Sequence, residues 1–261
     1  LKPLHPTSSN SIDTIYIVTP CFNAAEHIDS TIQSIITQAG DFAICYHVQD
    51  LGSTDETINK LTSWQDYLSV QSTSKQYRGV KFTWATEQGA GEHGAVVKGF
   101  DTMHIKPDSF MAIIYPEWVL LPGALQAIAR LQPDRPELRW VGSPVQEIAK
   151  YENGHDTLRV SRPRSHSTGI FQQDRLLRFE AMDWNEIQNG ILFFRKDVWF
   201  RVKWVVSSYK SADILSLWRT MREYTQCYRF ENSLAAVQTG APHLLHNAPF
   251  WSQSEDHAQS M

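Results

Sequence analysis

Cysteine is scarce in this chain: Cys21, Cys45 and Cys227 are the only three in 261 residues. An odd number with no metal-like spacing excludes a disulfide framework and points to a reducing compartment. Long hydrophobic runs are also missing. No stretch approaches the roughly 20 apolar residues that cross a bilayer, and no signal-peptide pattern opens the sequence. The first residue is Leu1 rather than Met, as in a segment excised or processed from a longer chain, so a membrane anchor elsewhere stays open. A strong excess of either charge is lacking too. With 24 Lys and Arg against 28 Asp and Glu, and a pI near 6.2, a nucleic acid held mainly through its phosphates is not an expected partner. Basic residues gather only locally, at Arg159, Arg162 and Arg164 and at Arg195, Lys196, Arg201 and Lys203. Such clusters are usually solvated faces, and otherwise contacts to phosphate or acidic lipid. There is no internal repeat and no low-complexity linker.

What is present is an ordinary globular composition, 42% hydrophobic and 20% charged. A chain of this length can bury roughly 75% of its unfolded surface. Its first half alternates two periodicities. Thr14 to Thr19 is a β-branched run, Pro20 to Asn23 reads as a turn, and Ile28, Ile32, Ile35 and Ile36 follow at helical spacing. Phe42 to Val48 predicts a second strand, and Ser53 to Glu56 opens a helix carrying Ile58, Leu61 and Leu68. Val80 to Ala85 predicts a third strand, before a glycine-punctuated segment and a helix with Ala95, Val96, Gly99 and Phe100. Phe110 to Ile114 is the fourth, with Pro122 at the favoured first position of the next helix. Beyond about residue 142 the pattern loosens. A strand at Ile191 to Phe194, helices at 196–203 and 211–223, a loop at 162–169 and a polar tail from about Ser252 are expected.

Strands separated by helices predict an α/β fold with a mostly parallel central sheet. Ligands of such sheets gather outside the carboxyl ends of the strands. Here those ends are Thr19-Pro20, Gln49-Asp50, Thr86-Glu87 and Tyr115-Pro116-Glu117. At the second, Ser53 and Glu56 fit a helix capping box and Gly52 a tight turn. Asp50 is not needed for that cap, so its carboxylate is available to a nucleobase or ribose. At the third, Gly89, Gly91 and Gly94 precede a helix whose N-terminal amides could receive a phosphate, with Lys98 either behind them or on a solvent face. Gly-rich strand-to-helix loops are common, and alone this signal is weak.

Taken in order, IYIVTPCFNAAEHIDSTIQSIITQ, VQDLGSTDETI, TEQGAGEHGAVVKGF and AIIYPEWVLLPGALQAI resemble the motifs of the GT-A fold glycosyltransferases of family 2, over roughly residues 13–142. GILFFRKDVWFRV and SADILSLWRTM are weaker echoes of that family's late strand and general-base region. The resemblance implies a GT-A-type, Rossmann-like sheet flanked by helices with a variable C-terminal half. It also implies transfer of a sugar, with inversion, from a nucleotide-sugar donor to a glycan or lipid-linked acceptor in glycan or surface polysaccharide biosynthesis. The expected organisation is one domain over 1–251, with a nucleotide-binding half at about 13–142, an acceptor half at about 143–251 and a polar tail at 252–261. A cytoplasmic location, or one peripheral to the membrane, goes with it, and another domain or chain of a larger glycosyltransferase is a candidate partner.

Carried over by position, Thr19 and Pro20 fall on the loop flanking the nucleotide, Asp50 on the base-contacting aspartate, and Glu87 and Lys98 on the third motif. Tyr115 and Trp118 either stack on sugar or base or merely pack. Glu117 falls on the metal motif, and His246 (or His243) could add a metal ligand. Asp213 is the best match to the general base. The departures are marked. Tyr115-Pro116-Glu117-Trp118 keeps one acid of a motif that is usually richer in aspartate, and the acids near Gly89 and Gly94 are missing. Asn189-Gly190 replaces a Gln-Glu pair. Weak dependence on Mg²⁺ or Mn²⁺, or none, is therefore expected, with Arg162, Arg164 and His166 able to neutralise a diphosphate instead. Two other readings compete: a catalytically silent binding or scaffolding module, and a nucleotidyltransferase. The lysine- and glycine-rich phosphate loop of the latter is absent near the first strand.

Overall fold

A computed structural model describes residues 13–71, 79–89, 91–135, 137–150, 156–159, 181–207, 214–230 and 233–238. The chain runs β1 (Asp13–Cys21), α1 (Ile28–Ile36), β2 (Phe42–Asp50), α2 (Thr57–Gln71), β3 (Val80–Thr86), α3 (Gly91–Asp101), β4 (Phe110–Ile113), β5 (Trp118–Leu120) and α4 (Ala124–Asp134). It continues through β6 (Trp140–Lys150), β7 (Asp156–Arg159), α5 (Trp184–Asn189), β8 (Gly190–Arg195), α6 (Lys196–Ser207), α7 (Ile214–Tyr224), β9 (Tyr228–Arg229) and β10 (Ala235–Gln238). The strands form one mixed sheet in the order β3-β2-β1-β4-β8-β6-β10-β5, with β7 and β9 also pairing with β6.

β3, β2, β1 and β4 run parallel to one another, as the alternation of strand and helix predicts. The central strands β1 and β4 are buried throughout, with α3 packed against β1 and β2 and α4 against β1 and β4. α3 approaches closely because residue 99 is glycine: a β-carbon there would lie 2.8 Å from the side chain of Val18. β8 is antiparallel to both β4 and β6, so the late strand sits in the middle of the sheet. Phe194 on β8 packs on Trp199 of α6 and Trp218 of α7, closing the core at that end.

Several boundaries differ from the sequence expectation. β6 runs unbroken through residues 142–143, where the pattern loosens, so the two halves share a strand. The helix after β4 starts at Ala124 behind Gly123 in a left-handed conformation, and Pro122 lies outside it. α2 starts at Thr57, and the carboxylate that accepts from its first turn is Asp55, through the Thr57 amide at 3.0 Å. Ser53 and Glu56 therefore make no capping box. A capping box does form at α5, between Asp183 and Glu186. In the late basic cluster Arg201 is exposed, but Arg195 and Lys203 are not on a solvated face. Arg195 is 2% exposed and donates to the carbonyls of Leu138 and Asp108 at 2.7 Å each, and buried Lys203 pairs with Asp101 at 2.8 Å. No helix among the described residues is long and apolar enough to cross a membrane.

Candidate functional site

The carboxyl ends of β1, β2 and β3 lie side by side, with Cys21 opposite Asp50 and Asp50 opposite Thr86. β1 extends through Cys21, so Thr19 and Pro20 are strand residues and not a loop. Thr19 is fully buried, and its hydroxyl shares a 3.0 Å hydrogen bond with Tyr46. The loop proper starts at Phe22, with Asn23 in the left-handed region. It is laced to the β2–α2 loop: the Asn23 amide donates to Ser53 Oγ at 2.7 Å, and Asn23 Oδ1 accepts from the Thr54 amide at 2.8 Å. The Ala25 amide donates to Asp55 at 3.0 Å.

Asp50 organises this edge. Its carboxylate is fully buried and accepts from the Gly52 amide at 2.9 Å, the Ser53 amide at 3.0 Å, the Thr86 hydroxyl at 2.7 Å and the Ser53 hydroxyl. The Cys21 thiol donates to it as well, so five donors meet its about four lone-pair sites, and a strand-end carboxylate followed by Gly-Ser is thus spent on shaping the loop. Gly52 has φ +93°, and a β-carbon there would come within 2.5 Å of Gln88, which packs over it from the third strand end. The Glu87 amide donates to the Asp50 carbonyl at 2.9 Å, tying β3's exit to the same loop. The Glu87 side chain pairs with Lys98, both of them partly exposed, so two residues expected at a nucleotide pair with each other.

The fourth strand end is held differently. Residues 115–118 form a β-turn, with the Trp118 amide donating to the Tyr115 carbonyl at 3.0 Å and Pro116 at its second position, where the ring pre-sets φ. This turn returns the chain as β5, which the sequence did not reveal. α1 and the segment just after it hold it: Thr31 donates to the Pro116 carbonyl and Ser34 Oγ accepts from the Leu120 amide at 3.0 Å, while Gln38, beyond the helix end, donates to the Leu121 carbonyl at 3.0 Å. Tyr115 and Trp118 are buried and pack edge-to-face with centroids 5.5 Å apart. Of the two roles open for these rings, the structure displays packing, and the Tyr115 hydroxyl donates to Glu92 in the first turn of α3.

Glu117 is only 6% exposed, and burial pushes its carboxyl up to about 8, with the Glu92 charge adding to the shift. It is therefore protonated at neutral pH. Glu92 stands close to this turn and was not singled out from the sequence; it fell among the residues of the glycine-rich segment. His93, next to it, is also buried. Its ring is held neutral by desolvation, and its Nε2 has no hydrogen-bond partner. No group of three or more His, Cys, Asp or Glu positioned to hold a metal occurs among the described residues. Mg²⁺ can be held by one or two carboxylates together with phosphate oxygens and water. Glu117, with Glu92 nearby, would have to give up its proton before it could hold such a cation. They do not form a ready-made cage. Asp213, His246, His243, Arg162, Arg164 and His166 lie outside the described residues.

No family model matches this chain, and no curated protein matches it either. Solved structures do. S. aureus TarS 1-349 in complex with UDP-GlcNAc superposes with a TM-score of 0.59 at 9% identity, over 90% of this chain and 61% of that one. The mannosyltransferase PcManGT from Pyrobaculum calidifontis, in complex with GDP-Man and Mn²⁺, gives 0.53 at 16% identity, over 87% and 57%. GalNAc-T7 with UDP, GalNAc and Mn²⁺ gives 0.55 at 12% identity, over 88% and 44%. The chain thus spans about three fifths or less of the length of these three structures. The fold is of the GT-A type, a mostly parallel sheet flanked by helices as in these glycosyltransferase structures.

Proposed function

We propose that this chain is a glycosyltransferase domain that uses a nucleotide-sugar donor. One observation carries the reading: four successive strand or turn ends, at 19–21, 49–53, 86–87 and 115–117, are assembled at the carboxyl edge of a GT-A-type sheet. That edge is where an open α/β sheet receives a ligand. In this reading the nucleoside lies against the loop that Asp50 shapes, with Thr19 and Pro20 forming the floor beneath it. The diphosphate draws Lys98 away from Glu87, exchanging a carboxylate partner for a phosphate one. Tyr115 and Trp118 wall the sugar side, and the acceptor hydroxyl attacks the anomeric carbon with inversion as the bond to phosphate breaks. Asp213 takes the acceptor proton. A divalent cation, Mg²⁺ or Mn²⁺, would neutralise charge on the departing diphosphate when bound. Glu117, with Glu92 and His246, would hold it. Family 2 membership, a glycan or lipid-linked acceptor, a role in surface polysaccharide biosynthesis, a cytoplasmic or membrane-peripheral location and further domains of a larger enzyme belong to the same proposal.

A second reading, a silent binding or scaffolding module, is favoured by the protonated, buried Glu117 and the poor ligand set around it. Incubation with UDP-, GDP- and other nucleotide sugars, with Mn²⁺ and without, followed by assay of released nucleoside diphosphate, separates the two. Release above the protein-free rate supports a transferase. Binding without release under every condition supports the module.

A further inference from the structure

A second concavity lies between α1 and α2, among helices that take no part in the site described above except through α1's hold on the 115–118 turn. Its volume is about 510 Å³, within the range of small-molecule sites. α1 contributes Asp29 and Gln33 at i, i+4 spacing, and α2 contributes Lys60, Trp64 and Tyr67 at i, i+4 and i+7. Asp29 fixes the groove: one carboxylate oxygen accepts from the Trp64 indole N–H at 2.8 Å, and the other pairs with Lys60. The indole is thereby locked, only partly buried, with the Tyr67 ring edge-on to it at 5.9 Å and 88°. Tyr67 is 44% exposed.

The chemistry of this lining selects an occupant. The centre of a groove for a helix or a second protein chain is depleted in charged side chains. Here the Asp29–Lys60 ion pair is part of the lining, and the one aliphatic residue there, Ile36, is itself buried. Around two rigid rings stand amide groups with capacity to spare. The Gln33 side chain has no partner among the described residues, and Asn59 uses its amide nitrogen on Glu56 at 2.7 Å while its oxygen stays open. Aromatic faces beside mixed donors and acceptors suit a ligand that is apolar on one side and rich in hydroxyls around its rim, as a pyranose is.

We propose that the α1–α2 groove is an auxiliary saccharide-binding site that takes a short stretch of neutral glycan, a pyranose C–H face on the Trp64 indole, the perpendicular Tyr67 ring flanking the sugar, and its hydroxyls on Gln33, Asn59 and Lys60. The proposal is independent of nucleotide binding at the strand ends and does not require transfer. It is tested by titrating the ¹⁵N-labelled chain with cellotriose, maltotriose and triacetylchitotriose while following the Trp64 indole N–H resonance, assigned with Trp64→Phe. At least one trisaccharide is expected to shift that resonance saturably. Tyr67→Ala, at an exposed position that leaves the fold intact, is expected to weaken the affinity about two- to tenfold. Gln33→Ala, also exposed, is expected to weaken it as well, and added UDP to leave it unchanged. No shift with any of the three sugars overturns the proposal, as does a shift insensitive to both substitutions. A concentration-dependent dimer in sedimentation that Tyr67→Ala abolishes would show that a second copy fills the groove and would overturn it equally.

Discussion

Glu117→Gln should abolish the pH dependence of stability that burial of this carboxyl imposes. In the folded chain its pKa is raised from 4.5 to about 8, chiefly by desolvation. Between those values the folded state holds a proton that the unfolded state has lost, so stability falls as pH rises through that window. Below about pH 4.5 the side chain is neutral in both states and contributes no penalty. At pH 7 the difference of roughly 2.5 units corresponds to about 3 kcal/mol, and above pH 8 it approaches about 5 kcal/mol. Gln keeps the shape and cannot ionise. Urea denaturation of both proteins from pH 5 to pH 9 is the assay. At pH 5 the two unfolding free energies should lie within about 1 kcal/mol, and by pH 8 the variant should be the more stable by a few kcal/mol. Parallel profiles across the range would refute a protonated Glu117 and restore the expectation of an ionised metal ligand at this turn.

Three further outcomes follow from the same edge of the sheet. Asp50→Ala removes the acceptor of two backbone amides and two hydroxyls, so it should lower unfolding free energy by about 1.5–3 kcal/mol, read by urea denaturation, besides weakening any nucleotide contact. Gly52→Ala puts a β-carbon at φ +93° within 2.5 Å of Gln88, and a loss of about 1–3 kcal/mol in the same assay is expected, with Gln88→Ala recovering the steric part only. Lys98→Ala breaks a solvent-screened pair and should change stability by less than about 1 kcal/mol, while nucleoside diphosphate affinity measured by calorimetry drops severalfold.

The parallel half of the sheet was legible because its signals are local. β-branched runs followed by helical repeats of Ile28, Ile32, Ile35 and Ile36 leave little freedom in how four strands and their crossovers assemble. β5 was not legible, since three residues carry no alternation and their partner, β10, lies more than a hundred positions away. Pro116 was its one local signal, marking a turn ahead of the helix start expected at Pro122. At the site, the strand-end positions could be read but not the partners of their side chains. Whether Asp50 faces a ligand or its own loop depends on the two donors that follow it, Gly52 and Ser53, and on Thr86 from a strand that only pairing brings near. Glu92 escaped notice because its meeting with Tyr115 depends on how α3 docks, a tertiary fact with no spacing in sequence.

The central claim is that the carboxyl edge of the sheet receives a nucleoside diphosphate. Isothermal titration calorimetry of the chain with UDP, GDP, ADP and CDP, each with Mn²⁺ and without, tests it most directly. Saturable one-site binding by at least one of them is predicted, with a dissociation constant in the range of about 1 µM to 1 mM, that is about −8 to −4 kcal/mol, strengthened by Mn²⁺ as pH rises toward 8 and weakened in Lys98→Ala. No heat of binding from any of the four at millimolar concentration, with a chain shown to be folded, would contradict it.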